Sequence, residues 1–273
     1  NKVKYIDLFC GMGGLRLGFE NALEELNLVG SCEFSSEIKD SAIKAYNTNF
    51  SENLKFTDIT KVSANEIPDF DYLLAGFPCQ AFSSAGNRLG FEDTRGTLFF
   101  DIARIIKEKT PKGFILENVE GLINHDKGKT YKIIEKTLLE LGYKVTSRII
   151  NGKDFGLAQS RNRIYIVGHK NKTINIDDYP KKISVLEDIL EKNIPVSKTQ
   201  FTQKLLDHFK LKDLYGKSIK DKRGGTNNIH SWDIEIKGPV SSKQKKLLNN
   251  LLKERRKKYW ADQIGITWMD GMP

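Results

Sequence analysis

The sequence predicts an α/β protein: a doubly wound, mostly parallel sheet, followed by a smaller region of different character. Two observations carry the prediction. Short apolar runs alternate with segments of helical periodicity as far as about residue 170, the pattern of strands joined by crossover helices. A glycine-rich turn, Cys10-Gly11-Met12-Gly13-Gly14, follows the first apolar run directly, where an open parallel sheet receives its ligands.

Residues 4–9 read as the first strand, and Leu15, Phe19, Leu23 and Leu26 recur at helical spacing after it. A second strand is expected at 28–33 and a helix near 37–50. Residues 72–75 form a third strand, and Leu98, Phe99, Ile102, Ile105 and Ile106 line one side of the next helix. A strand at 114–117, a helix near 129–141 and a hairpin-like pair at 144–150 and 164–168 complete the sheet. Beyond Asn171 the regularity fails, and Arg223-Gly224-Gly225-Thr226-Asn227-Asn228 reads as loop. The boundary is set at residue 175, separating 1–175 from 176–273. Within the second region, 243–258 reads as a helix with Leu247, Leu248, Leu251 and Leu252 as its apolar stripe and cations around the rest.

Composition narrows the class. The 273 residues are 39% hydrophobic and 29% charged, ordinary for a globular chain. No apolar run approaches the roughly 18 residues of a membrane span and none reads as a signal peptide, so a cytoplasmic location is expected. Cys10, Cys32 and Cys79 are odd in number and lack CxxC spacing, and the four histidines (125, 169, 208, 230) lack ligand spacing. Neither a disulfide framework nor a metal site is expected. A net charge of +9 favours a polyanion such as nucleic acid, because neutralised phosphates release counterions.

The chemistry concentrates at Ala75-Gly76-Phe77-Pro78-Cys79-Gln80, which puts a cysteine beside proline at the end of a strand. A thiolate is a strong nucleophile, and a stiff turn aims it out of the sheet. Cys10 and Cys32 read as small core residues. The dinucleotide pattern GxGxxG would require glycine at position 16, where the chain has Arg16, which argues against a nicotinamide oxidoreductase. Glu33, near the expected end of the second strand, is suited to ribose hydroxyls. Asp58-Ile59 is suited to an adenine amino group. Together with the glycine turn they describe an adenosine-bearing cofactor.

Phe-Cys-Gly-Met-Gly-Gly at 9–14, Gly-Phe-Pro-Cys-Gln at 76–80, Glu117-Asn118-Val119 and Gln159-Ser160-Arg161-Asn162-Arg163 stand in one order, with 90–99 between them. On these motifs the chain, over about residues 4–168, strongly resembles the cytosine-5 DNA methyltransferases of bacterial restriction-modification systems. The resemblance implies a Rossmann-like, S-adenosylmethionine-dependent fold. It makes 1–175 the cofactor-binding and catalytic domain, and 176–273 a linker with part of a target-recognition region. S-adenosylmethionine is then held by Phe9, Gly11, Gly13, Gly14 and Leu15, with Glu33 on the ribose, Phe34 against the adenine, Asp58 and Ile59 at its edge, and Phe77 nearby. Cys79 adds to a flipped-out cytosine in duplex DNA, Glu117 acts at N3, Arg163 holds O2 with Arg161 in support, and Asn118 fixes the Pro-Cys loop. A mobile active-site loop spans 83–97, and Gln80, Ser83 and Arg95 face DNA. In the second region Arg223, Asn227, Asn228 and His230 are candidates for base edges, or equally for capping and packing this region.

Two further classes are weighed beside this one: a catalytically impaired DNA-binding homologue, and a tRNA cytosine-5 methyltransferase. Retention of Cys79, Glu117, Arg161 and Arg163 together argues against the first, and the match to DNA-modifying members against the second. The family's later motifs, one containing Arg and Glu and one a Gly-Asn helix that returns to the sheet, have no match before Pro273. They are expected in a further C-terminal segment or in a second polypeptide.

Overall fold

Central strands covered on both faces must be apolar along their whole length, and this requirement selects the middle of the sheet. In β1 (Lys2–Leu8), Tyr5 through Leu8 are all buried, and in β3 (Tyr72–Gly76) so are Leu73, Leu74 and Ala75. The computed structural model describes residues 2–78, 98–191, 198–219, 227–254 and 257–263. With β2 (Val29–Ser36), β4 (Gly113–Val119), β5 (Lys144–Asn151) and β6 (Asn162–His169), these strands form one sheet in the order β2-β1-β3-β4-β6-β5. Only β6 runs against its neighbours, pairing antiparallel with both β4 and β5. The connecting helices are α1 (Gly14–Glu25), α2 (Asp40–Phe50), α3 (Leu98–Lys109) and α4 (Lys129–Glu140). Helix α3 buries Phe99, Ile102, Ala103, Ile105 and Ile106, the side expected from its spacing.

The chain leaves β1 toward β2 on one side, whereas β3 lies on the other. Connections diverging from neighbouring strands open a crevice at their carboxyl ends. The glycine turn after β1 and Phe77-Pro78 after β3 both stand there.

Two departures from the sequence reading matter. Strand β2 does not stop at residue 33 but continues to Ser36. It is an edge strand, mostly half-buried, so its last six residues, Ser-Cys-Glu-Phe-Ser-Ser, carry no apolar run to announce it. The first compact unit also reaches past residue 175, to Leu190. Residues 176–182 are tied back to it: Arg148 pairs with Asp177 at 2.7 Å, and the Lys182 N–H donates to the Asp154 carbonyl at 2.8 Å.

The second unit, Glu191–Pro273, contains α5 (Gln200–His208), short paired strands β7 (Ser218–Ile219) and β8 (Asn228–Ile229), α6 (Ser242–Glu254) and α7 (Lys258–Gln263). Leu205, Ile229 and Ile234 form its core. Of the leucine stripe on α6, Leu252 is buried while Leu247 and Leu251 are exposed.

Candidate functional site

The turn after β1 depends on backbone that side chains disfavour. Phe9, Gly11 and Gly13 have φ of 53°, 55° and 86°, in the left-handed region that glycine enters without penalty. At Gly13 glycine is doubly required, since a Cβ would stand 2.0 Å from the Phe50 ring. A Cβ on Gly11 or Gly14 would meet nothing within 4 Å, so the chain leaves open space beside both.

The end of β2 holds this turn in place. The Cys10 N–H donates to the Ser36 carbonyl at 3.0 Å, and the Gly11 N–H to Glu37 Oε2 at 2.9 Å. Glu37 Oε1 accepts from the N–H groups of Ile38 and Lys39, both at 2.9 Å. Glu37, which the sequence reading passed over, is therefore the carboxylate at the strand end. Glu33 lies inside β2, at an irregularity where Tyr5 pairs with Cys32 and Ile6 with Phe34. Phe34 packs half-buried against the main core, whereas Ile38 is exposed beside Glu37. Asp58 caps the short turn Ile59–Lys61, accepting from the N–H and hydroxyl of Thr60, and these bonds hold its carboxyl below the usual range. Ile59 is buried; Phe77 is buried against Phe99, and Leu15 is half-buried on α1.

Two buried charges lie behind the turn. Asp7 in β1 is 1% exposed, and neither of its carboxylate oxygens has a hydrogen-bond partner. Burial pushes its pKa up to about 7, against the pull of Arg16. Arg16 donates to the Tyr46 hydroxyl at 2.9 Å, pairs with Glu20 at 2.9 Å and Glu52 at 3.1 Å, and lies 4.1 Å over the Phe50 ring. This explains an arginine where a dinucleotide turn has glycine: it braces the ring against which Gly13 sits. Burial pushes the thiols of Cys10 and Cys32 upward, so neither is a ready nucleophile.

Across the crevice, Gly76 and Glu117 are register partners on β3 and β4. Buried Asn118 donates through Nδ2 to the Phe77 carbonyl at 2.9 Å and accepts from the Val119 N–H at 2.8 Å. It thus ties β4 to the backbone leading into Pro78 and Cys79. Glu117 Oε1 lies 2.7 Å from Arg163 Nε. Burial raises the Glu117 carboxyl above its ordinary range, while Arg163 and Arg161 pull it back. These three groups share a cavity of about 390 Å³ with Tyr165, Ile150, Phe155 and Leu157. Asn151, also missed in the sequence, shapes the Arg161 turn: its Oδ1 accepts from the N–H groups of Lys153 and Arg161, and its Nδ2 donates to Ser160. The Asn-Gly dipeptide at 151–152 was the available signal.

Cys79, Gln80, Ser83, Arg95 and Arg223 lie outside the described residues. In the second unit Asn227 is exposed and Asn228 half-buried. His230 is 6% exposed, its ring stacks on Trp232 at 4.5 Å, and its N–H donates to Asp233. Burial and stacking favour the packing role over base reading, the two roles that the sequence leaves open for it. Among the described residues no group of three or more His, Cys, Asp or Glu is placed to hold a metal ion, and no helix is long and apolar enough to cross a membrane.

The fold is similar to that of a solved methyltransferase. The Entamoeba histolytica methyltransferase EhMeth superposes with a TM-score of 0.60 at 20% identity, over 92% of this chain and 82% of that one. The C-5 cytosine-specific DNA methylase family model matches residues 3–265, and the chain belongs to that family. It is 54% identical to the Type II methyltransferase M.NlaIV of Neisseria lactamica and 53% identical to M.NgoBV of Neisseria gonorrhoeae, over 100% of its own length. In each case it spans 66% of the relative.

Proposed function

We propose that this chain is the catalytic part of an enzyme that methylates C5 of a flipped-out cytosine in a specific duplex DNA sequence. The observation that carries the reading is the joint around Asn118. One residue from Glu117, its side chain grips the carbonyl of Phe77, two residues before Cys79. Glu117 and the backbone up to Pro78, which precedes Cys79 in the sequence, are thereby referred to the same pair of strands.

Cytosine C5 is too poor a nucleophile to be alkylated unaided. Addition of the Cys79 thiolate to C6 forms a C–S bond, breaks the aromaticity of the ring and moves electron density onto C5. Glu117 gives N3 a proton or a strong hydrogen bond and so takes up the charge pushed into the ring. Its burial favours the neutral carboxyl that can donate. Arg163, in the same cavity, serves the base O2, and Arg161 supports it. Once C5 carries the new methyl group, loss of the C5 proton and expulsion of the thiolate restore the ring and the enzyme.

The glycine turn fits S-adenosylmethionine. It offers open space beside Gly11 and Gly14, and the orphaned carboxylate of Asp7 for an ammonium group. Glu37, rather than Glu33, is suited to the ribose hydroxyls, with exposed Ile38 and Asp58 toward the adenine. When bound, the cofactor supplies an electrophilic methyl group on its sulfonium. Double-stranded DNA is the partner, consistent with the net charge of +9.

The test is to incubate the full-length protein with isotopically labelled S-adenosylmethionine and either duplex DNA or bulk tRNA. Labelled 5-methylcytosine in the DNA alone is expected. Label in tRNA alone, or in another DNA base, would overturn the reading.

A further inference from the structure

The apolar end of the cavity beside Glu117 is built on the turn after β5. Phe155, which lines the cavity, is 43% exposed and so is not anchored by the core. Its anchor comes from a segment further along the chain. The Phe155 ring stacks on Tyr179 with centroids 4.3 Å apart and planes 26° from parallel. Arg148 of β5 lies 5.3 Å over the Tyr179 ring, pairs with Asp177 at 2.7 Å and donates to the Ile176 carbonyl at 3.3 Å. The backbone joins as well: Phe155 and Lys182 form a parallel bridge, and the Lys182 N–H donates to Asp154. Gly156, with φ of +83°, passes so close that a Cβ there would stand 2.9 Å from the Lys182 side chain. Pro180 restricts Tyr179 to extended backbone, which lowers the entropy lost in holding the strap.

We propose that Tyr179 is a positioning residue for the target base, acting through Phe155. The proposal rests on the reading of this cavity as the cytosine site. An exposed phenylalanine loses rotamer freedom when it forms a wall, and a stacked ring on a strapped segment offsets that loss. The geometry needed for a thiolate to reach C6 while Glu117 reaches N3 is narrow, and small misplacement of the ring slows the chemistry. Arg148 contributes indirectly, by holding the strap through Asp177 and the Tyr179 face.

The test compares Tyr179→Ala and Tyr179→Phe with wild type in the full-length protein, reading kcat, KM for cognate duplex DNA, S-adenosylmethionine affinity by calorimetry, and melting temperature. Tyr179→Ala is expected to lower kcat/KM for DNA roughly 3- to 10-fold, the scale of one aromatic pair, with cofactor affinity unchanged and the melting temperature lowered by no more than about 4 °C. Tyr179→Phe keeps the stack and should restore wild-type kinetics. Wild-type kinetics in Tyr179→Ala, equal damage in Tyr179→Phe, or a parallel loss of cofactor affinity would each overturn the positioning role. A wild type that methylates no DNA would instead count against the proposed function.

Discussion

Replacement of Glu37 by alanine distinguishes it from Glu33, the acid that sequence order and the family resemblance select for the ribose. Glu37 stands at the end of β2, and its carboxylate accepts the N–H groups of Gly11, Ile38 and Lys39. Alanine removes the acceptor proposed for the ribose hydroxyls and the strut that holds the glycine turn. Hydrogen bonds to a charged group are worth roughly 1.5–3 kcal/mol each. The released N–H groups are near solvent and find water, so the loss falls mainly on the ligand. About 3 kcal/mol corresponds to an affinity loss on the order of 10²-fold. Glu33→Ala alters a mid-strand residue at an irregular register and should change affinity by less than about twofold, since the proposed site gives it no ligand contact. Titration calorimetry with S-adenosylmethionine on the full-length variants makes the comparison. Equal losses in both, or a Glu37→Ala affinity within about threefold of wild type, would refute the assignment.

Two further outcomes follow from the buried carboxyls. Glu117→Gln should lower single-turnover methylation on the order of 10²-fold or more, the scale of lost general-acid help, while DNA affinity in a binding assay stays near wild type. Because the donor form of Glu117 is protonated and burial raises its pKa, the wild-type rate should fall as pH rises through that value. The glutamine variant should lack this limb in its pH–rate profile. Asp7 carries a folded pKa of about 7 against 3.8 for an ordinary aspartate. The folded chain therefore holds a proton that the unfolded chain has released, and stability falls as pH rises from about 4 to about 7. Asp7→Asn removes that loss and should stabilise the cofactor-free protein at pH 8 by up to about 4 kcal/mol in denaturant unfolding, shrinking toward pH 5. A gain independent of pH would contradict the burial account.

The parts of the fold legible in the sequence were those that burial writes into composition. Strands β1, β3 and β4 are covered on both faces and read as apolar runs, and the α3 stripe declared its buried side. The edge strand β2 is half-buried and its carboxyl-terminal part carries no apolar run, so the sequence pattern ends it before Ser36 and leaves Glu37 unmarked. Arg16 looked like a broken glycine motif because its partners, Tyr46, Phe50 and Glu52, come from a different helix and the loop after it. The pairing of Glu117 with Arg163 is likewise a product of register between β4 and β6, which no local pattern contains. His230, polar and set beside a loop, read as available to DNA, but its stacking on Trp232 withdraws it from solvent.

In the proposed mechanism Cys79 attacks the cytosine ring. A duplex containing the recognition sequence with 5-fluorocytosine at the target position tests it most directly, because fluorine cannot leave C5 as a proton does. Incubated with S-adenosylmethionine and analysed by intact-mass spectrometry, the full-length protein should form a stable one-to-one adduct with the DNA, with the linkage mapped to Cys79. Cys79→Ser should form none while binding S-adenosylmethionine with wild-type affinity. Absence of an adduct with the wild type on DNA that it methylates when unfluorinated, or an adduct mapped to another residue, would contradict the account.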